Sequence, residues 1–161
     1  MLTAARLREL LNYDSETGIF TQLGRPRIRR GAVAGGINSN GYVLLSVESR
    51  RYRAQRLAWL YVTGEWPPND VDHMDGDRTN NRWTNLRAAT RSQNLANQRR
   101  RRDNRSGLKG VSFDAERGLW RAQIAKDEKR IFLGRFRTKE EAAVVYARKA
   151  VEMFGAFARM N

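Results

Sequence analysis

Residues 71–82 combine three aspartates, two asparagines and one histidine in a stretch that is too polar to form a buried core. His73 is the only histidine in the chain, and cysteine is absent. A metal bound here must therefore be held mainly by oxygen ligands, and any imidazole chemistry must use His73. An imidazole titrates near ~6.5, so His73 is suited to act as a general base in hydrolysis.

The spacing of these residues favours phosphodiester hydrolysis over calcium binding. A calcium loop that began at Asp75 would need glycine and glutamate where the chain has asparagine and leucine. Phosphodiester hydrolysis needs an activated water and a cation that neutralises charge on the phosphate. If Asp72 and His73 share a strand, their side chains alternate, so Asp72 could bind a metal beside the imidazole. Asn94, near the start of the next helix, could supply a second oxygen ligand.

Each of these residues has a simpler explanation when it is considered alone. A single histidine in a polar loop is usually a surface residue, and an Asp-Gly run is usually a turn. The ordered set that begins with Asp72-His73 and continues to Asn94 favours catalysis. For Asp75 and Asn97, a turn and a helix surface are the better interpretations.

Short helices and strands must position this stretch. Hydrophobic periodicity and turn residues predict, in order, a helix (3–12), a turn (13–18), a strand (19–21), a hairpin (42–54), a helix ending at Thr63-Gly64 (57–64) and a strand (85–87). Ser92 is the predicted N-cap of the helix that carries Asn94.

Five separated motifs resemble the HNH endonucleases of phages and mobile introns. In chain order they are Gln55-Arg56-Leu57-Ala58-Trp59, Asp72-His73, Asn80-Asn81-Arg82, Asn85-Leu86-Arg87 and Ser92-Gln93-Asn94, within residues 12 to 98. The resemblance implies a ββα-metal fold that holds one divalent cation, Mg²⁺, with Mn²⁺ as the alternative.

The same resemblance implies a role for each site residue. His73 would be the general base, and Asp72 and Asn94 would be the metal ligands. Asn85 would pin the loop and orient His73, and Asn81 would brace that loop. The cleaved ends would be a 5′-phosphate and a 3′-hydroxyl. Relatives commonly carry histidine where this chain has Gln55. If that histidine contacts phosphate or stabilises the leaving group, its absence predicts reduced activity or a restriction to nicking, whereas Gln55 can still donate a hydrogen bond, so the site is not expected to be inactive.

An arginine-rich run separates this region from the last third of the chain. Like charges at this density repel one another, so residues 99–107 are predicted to form an extended linker. Bound to DNA, it could follow phosphates or enter a minor groove; without DNA it would be a solvated tether. The arginines predicted to contact DNA here are Arg99, Arg100, Arg101, Arg102 and Arg105.

The last third predicts three strands and one helix, and it resembles the AP2/ERF-type DNA-binding domain. The strands are predicted at 111–113, 120–125 and 130–133, and Thr138 with Glu141 predicts a capping box. The residues that carry the resemblance are Gly110-Val111, Trp120, Leu133-Gly134-Arg135-Phe136, Thr138, Glu140-Glu141-Ala142-Ala143, Tyr146-Ala147, Ala150, Gly155 and Asn161. The family places a three-stranded antiparallel sheet in the major groove and packs a helix behind it.

Strand alternation indicates which face of this sheet would meet DNA. Trp120, Ala122 and Ile124 share the face towards the helix, whereas Arg121 and Gln123 share the other face. The resemblance adds further DNA-facing positions, namely Lys109, Ser112, Asp114, Arg117, Arg130 and Phe132. Ser112 and Asp114 stand where the family commonly has arginine, so its usual target sequence is not expected. Because arginine can bond guanine bidentately, Arg121, Arg130 and Arg117 are the best candidates for contacts with bases or phosphates.

Composition agrees with a nucleic-acid partner. The chain has 161 residues with 31 Lys+Arg against 17 Asp+Glu, a net charge of +14. This excess favours a polyanion. No apolar run approaches the ~20 residues of a membrane span, and the N-terminus lacks the pattern of a signal peptide.

These patterns predict an α+β protein that cuts double-stranded DNA as a monomer, without a membrane or protein partner, in the cytoplasm of a bacterial or phage-infected cell. The predicted parts are an N-terminal helix and hairpin region that could contact DNA (1–50), a nuclease core (51–98), the linker (99–107) and the AP2-like domain (108–161). The main alternative is a non-catalytic DNA-binding regulator with the same modules. A more distant alternative is an RNA-binding protein that relies on the arginine tether.

Overall fold

The computed structural model describes residues 1–24, 29–100 and 103–160. The chain divides into two compact units, Met1–Ala88 and Ala89–Asn161. The boundary falls within the region 51–98 that was predicted to form the nuclease core. Within the described ranges, no helix is long and apolar enough to cross a membrane.

The first unit combines two short helices with three small sheets. Its elements are α1 (Ala4–Leu10), β1 (Leu11–Asp14), β2 (Ile19–Gln22), β3 (Gly36–Ile37), β4 (Val43–Val47), β5 (Arg50–Arg53), α2 (Ala54–Thr63), β6 (Asp70–His73), a 3-10 turn (Trp83–Asn85) and β7 (Leu86–Ala89). Strands β1 and β2 form an antiparallel hairpin, β3, β4 and β5 form a sheet in that order, and β6 pairs with β7. The two predicted helices and the predicted hairpin 42–54 are therefore present, whereas β1 occupies residues that were predicted as the end of a helix and the start of a turn.

A single apolar cluster holds the first unit together. Leu7 from α1, Leu45 from β4, and Leu57 and Leu60 from α2 are almost completely buried in it. Side chains three or four residues apart lie on one face of a helix, so α2 directs Ala54, Leu57 and Ala58 into this core. Helix α2 also contacts β6, and the core therefore supports the strand that carries Asp72 and His73.

The second unit contains a three-stranded antiparallel sheet and two helices. Its elements are α3 (Arg91–Asn97), β8 (Val111–Asp114), β9 (Leu119–Lys126), β10 (Lys129–Phe136) and α4 (Lys139–Phe154). The sheet order is β10-β9-β8, and α4 packs against all three strands through Ala142, Tyr146 and Ala150. The predicted sheet with one packed helix is present, and Thr138 and Glu141 form the predicted capping box.

Helix α3 begins earlier than the sequence suggested. Its N-cap is Thr90, whose hydroxyl accepts from the backbone N–H of Gln93 while the Gln93 side chain accepts from the N–H of Thr90. This reciprocal pair satisfies two backbone donors, which a cap at Ser92 would not do. The Ser92 hydroxyl instead donates to Asp127 Oδ1 at 2.7 Å, in the turn between β9 and β10. The prediction of Ser92 as N-cap was wrong.

Candidate active site

Strands β6 and β7 bring a buried ion pair to the centre of the candidate site. Asp72 on β6 is 4% exposed, and its Oδ2 accepts a 2.9 Å hydrogen bond from Arg87 Nε on β7. Arg87 Nη2 lies 2.9 Å from the same oxygen. A buried carboxylate is costly unless it is paired, so Arg87 offsets the burial of Asp72.

His73 follows Asp72 on β6 and is also 4% exposed. Its Nε2 lies 3.1 Å from Asn81 Oδ1. The Asn81 amide is oriented by its own Nδ2, which donates to the Thr79 carbonyl at 3.1 Å. Because an amide oxygen can only accept, Nε2 carries the proton of the neutral ring and Nδ1 is its basic nitrogen.

Burial disfavours the protonated form of the His73 imidazole. Loss of solvent lowers the pKa of His73, whereas the Asn81 hydrogen bond and the carboxylates of Asp75, Asp72 and Asp77 act in the opposite direction. The net direction is downward, which favours the neutral imidazole that a general base requires.

Asn85 ties down the loop between β6 and β7. Its Nδ2 donates to Asp75 Oδ1 at 3.0 Å and to the Asn80 carbonyl at 2.8 Å, and its Oδ1 accepts from the backbone N–H of Asp75 at 3.1 Å. Asp75 also accepts from Asn80 Nδ2 at 2.7 Å. These contacts are those of a residue that pins the loop. The observed partner of the imidazole Nε2 is Asn81.

A second support for the loop comes from β1 and the turn that follows it, a region for which the sequence predicted only a turn (13–18). The Tyr13 hydroxyl donates to the Asn81 carbonyl at 2.6 Å, and burial raises the pKa of this tyrosine. The backbone N–H of Trp83 donates to the Ser15 carbonyl at 3.0 Å. Gly18 has φ +75°, and a Cβ added there would lie 2.8 Å from the Asn81 carbonyl oxygen. No local sequence pattern signals these contacts, because Tyr13 and Asn81 are 68 positions apart.

Gln55 lies in the first turn of α2 and is 2% exposed. Its Oε1 is a buried side-chain oxygen with no hydrogen-bond partner within the described ranges. Gln55 is thus about as buried as Asp72 and His73, and the effect of glutamine at this position on cleavage stays a prediction.

The available donors suit a hard divalent cation better than a soft one. Across residues 1–24, 29–100 and 103–160, no three His, Cys, Asp or Glu side chains are grouped as a metal site. A cation at Asp72 would therefore be held by carboxylate and amide oxygens, which Mg²⁺ and Mn²⁺ accept. Asn94, the other predicted ligand, lies on α3 in the second unit.

The second unit exposes a basic sheet face. Ala122 and Ile124 are buried, whereas Arg121 and Gln123 alternate with them and are partly exposed. Arg130 is exposed on β10. Arg117 lies 3.7 Å from Asp114 Oδ2, which also accepts from Arg135 Nε at 3.0 Å, so Asp114 partly neutralises this edge.

Lys109 lies in a different setting from the one predicted. Its ammonium donates to the carbonyls of Ala96 and of Gln98, the latter at 2.8 Å, at the C-terminal end of α3. Burial and the charge of Arg159 lower the pKa of Lys109 to about 8. In this arrangement the Lys109 ammonium caps the C-terminal end of α3, and its contact with DNA stays a prediction. In the linker, Arg99, Arg100 and Arg105 are exposed, whereas Arg101 and Arg102 lie outside the described residues, as does Asn161.

Comparisons with known proteins match the region that carries this site. The HNH endonuclease family profile matches residues 52–96. Protein 3.8 of Escherichia phage T7 is 36% identical over 116 residues, which cover 68% of this chain and 93% of that protein. An uncharacterized HNH endonuclease of Acanthamoeba polyphaga mimivirus, L560, is 31% identical over 127 residues, covering 78% of this chain and 65% of that protein.

A solved structure of the HNH homing endonuclease I-HmuI, described as showing DNA binding and cleavage, aligns with 55% of this chain and 51% of its own. The identity is 24% and the TM-score is 0.43, which does not establish a common overall fold.

The buried His73 on β6 and the sequence similarities identify the protein as a nuclease. Residues 52–96 match the HNH endonuclease family, and the chain belongs to the same family as Protein 3.8 of phage T7.

Proposed function

We propose that this nuclease hydrolyses phosphodiester bonds in double-stranded DNA and that it depends on one divalent cation, Mg²⁺ or Mn²⁺. The observation that carries the proposal is the buried His73 next to Asp72, because its Nε2 lies 3.1 Å from Asn81 Oδ1 and burial lowers its pKa. A nucleic-acid substrate is supported by the net charge of +14.

His73 would act at its Nδ1. In the proposed reaction this nitrogen removes a proton from a water molecule, and the water oxygen attacks the scissile phosphorus. The bond from phosphorus to the 3′ oxygen breaks, and that oxygen leaves and takes up a proton from solvent. The products are a 5′-phosphate and a 3′-hydroxyl. Proton removal by a positioned base contributes about 10²- to 10⁴-fold to such a rate.

Asp72 and Asn94 are the proposed ligands of the cation. The bound cation would neutralise charge on the phosphate and on the leaving oxygen. The hydrogen bond from Arg87 to Asp72 Oδ2 holds the Asp72 carboxylate in one orientation. The role of Asn94 rests on the family resemblance and on its position within the matched residues 52–96.

The second unit would supply DNA affinity and sequence preference. We propose that residues 108–161 act as an AP2-like domain whose sheet face enters the major groove. Arg121, Gln123, Arg130 and Arg117 would contact bases or phosphates. The linker 99–107, with its five arginines, would bind the backbone and hold the nuclease core (51–98) near DNA, which raises its effective concentration there. A monomer suffices for this arrangement. The phage and viral relatives suggest that the substrate is DNA inside an infected cell, and a homing role is an extension of the same proposal.

A plasmid assay tests the proposal. Supercoiled plasmid is incubated with the full chain and Mg²⁺, Mn²⁺ or EDTA, and the nicked product is then treated with DNA ligase. We expect cleavage only with a divalent ion, and ligase should reseal nicks because it needs a 5′-phosphate and a 3′-hydroxyl. Cleavage in EDTA would contradict metal dependence, and nicks that ligase cannot reseal would contradict the assigned ends. Tight binding without cutting would favour a DNA-binding regulator, and a preference for RNA at matched salt would favour the RNA-binding alternative.

A further inference from the structure

Two exposed arginines from different elements meet on one aromatic ring next to His73. Arg53, at the end of β5, has its guanidinium carbon 4.3 Å from the centre of the Tyr42 ring. Arg78, in the loop after β6, has its guanidinium carbon 4.7 Å from the same centre. The rings of Tyr42 and His73 are 6.3 Å apart, centre to centre. We refer to Tyr42, Arg53 and Arg78 as the Tyr42 cluster.

Local hydrogen bonds fix the geometry of the Tyr42 cluster. Asn38 Oδ1 accepts from the backbone N–H groups of Asn40 at 3.0 Å and of Tyr42 at 2.9 Å, which sets the turn before β4. Arg78 Nη1 donates to the Asn40 carbonyl at 2.7 Å and so connects the loop to that turn. Arg53 precedes α2, and its side chain makes no capping hydrogen bond there.

No carboxylate in the described part of the chain neutralises the charges of the cluster. Neither Arg53 nor Arg78 forms an ion pair with a carboxylate within residues 1–24, 29–100 and 103–160. By contrast, Arg6 lies 2.7 Å from both Glu9 and Glu48 on the same unit. Two guanidinium groups on one ring repel each other, and an anion between or beside them would relieve that repulsion.

The cluster matches the chemistry of a phosphodiester backbone. The cation–π contact with Tyr42 positions each guanidinium group, whose N–H groups can bond phosphate oxygens. We propose that the Tyr42 cluster binds the phosphate backbone of the DNA strand next to the bond that is cleaved at His73. This inference rests on the proposed function, because it takes His73 as the site of cleavage. Arg53 and Arg78 bind substrate in this account and take no part in proton transfer.

Binding and cleavage by charge-loss variants test the cluster. The full chain carries Arg53→Gln, Arg78→Gln or both, and Arg6→Gln is the matched control because carboxylates already neutralise that arginine. Affinity for a fluorescent DNA duplex is measured by anisotropy in EDTA at several salt concentrations, and single-turnover cleavage is measured with Mg²⁺. We expect each cluster variant to weaken binding about tenfold and to lower the slope of log K against log salt by about one. The cleavage rate at saturating protein should change by less than about threefold, since the base is intact.

Three further arms keep the result interpretable. Thermal melts check that each variant folds, and Arg78→Lys should recover most of the salt slope because it keeps the charge. Tyr42→Ala should weaken binding, whereas Tyr42→Phe should not, since the ring is kept. The proposal is overturned if the double variant binds like Arg6→Gln, or if affinity is normal and only the saturated rate falls. The anisotropy arm needs no cleavage, so a chain that binds but never cuts would refute the proposed hydrolysis while these variants still decided the role of the cluster.

Discussion

Replacement of Asn81 by alanine separates the positioning of His73 from the stability of its loop. The Asn81 side chain is 2% exposed and makes two 3.1 Å contacts, one with His73 Nε2 and one with the Thr79 carbonyl. Asn81→Ala leaves His73 Nε2 buried without this hydrogen bond, whereas the Thr79 carbonyl still accepts from the backbone N–H of residue 81 at 3.1 Å. An unpaired buried donor costs about 1–3 kcal/mol, so we expect the free energy of unfolding to fall by about that amount.

The same substitution removes the contact that fixes the His73 tautomer. If a basic Nδ1 is required, loss of its orientation should lower the single-turnover rate by about 10- to 100-fold, which corresponds to about 1.4–2.7 kcal/mol in the barrier. The assay combines urea unfolding, single-turnover cleavage and ¹⁵N spectra of the imidazole. Native protein should show a proton on Nε2, and Asn81→Ala should show a mixture of tautomers.

A matched control is Asn12→Ala, an exposed asparagine on β1. It should change stability by less than about 0.5 kcal/mol and leave the rate unchanged. If Asn81→Ala lost stability but cleaved within twofold of the native rate, Asn81 would support the loop without positioning His73 for cleavage. Unchanged ¹⁵N signals would refute the tautomer assignment.

Four other changes test separate parts of the structure. Gly18→Ala should destabilise the protein by about 2 kcal/mol or more and lower cleavage, since the φ of +75° and the nearby Asn81 backbone both oppose a Cβ; normal melting would count against this packing. Arg87→Gln should cost about 3–5 kcal/mol by leaving Asp72 buried beside a neutral group, and Arg87→Lys should cost less; equal melting of both variants would show that the pair contributes little. Gln55→Met should be neutral or stabilising in urea unfolding, because Oε1 has no partner in the described part of the chain; a clear loss of stability would mean that the amide is bonded. Lys109, with its folded pKa lowered to about 8, binds fewer protons when folded than when unfolded, so stability should rise between pH 8 and ~10.5 by on the order of 1 kcal/mol after allowance for solvent; Lys109→Met should remove that rise, and a rise that persisted in the variant would have another origin.

Local patterns predicted the elements well where the signals are short-range. The Thr138–Glu141 capping box, the helix end at Gly64 and the alternation of Arg121 and Gln123 with Ala122 each depend on residues within a few positions. The prediction of Ser92 as the N-cap failed because Thr90, two residues earlier, is also a residue type that caps helices. Only Thr90 has a glutamine three positions later that can complete a capping box.

The candidate site was predictable as a set of residues but not as a set of contacts. The order of Asp72-His73, Asn85 and Asn94 indicated the chemistry, and residues 52–96 match the HNH endonuclease family. The contacts that set that chemistry are long-range. Nothing near Arg87 in sequence indicates its pairing with Asp72, and nothing near position 13 indicates that Tyr13 holds the Asn81 carbonyl. Lys109 was predicted to face DNA from the AP2/ERF resemblance, and no nearby residue indicates that its ammonium contacts the carbonyls of Ala96 and Gln98.

The central claim is that His73 is the base in a DNA-cleaving site, and its most direct test is single-turnover cleavage of one duplex by His73→Ala at saturating protein. Met74→Ala is the control, since Met74 follows His73 and is 42% exposed. We expect a loss of about 10²- to 10⁴-fold for His73→Ala with DNA affinity kept, and a normal rate for Met74→Ala. If the His73→Ala protein binds and cuts at the native rate, His73 is not the base.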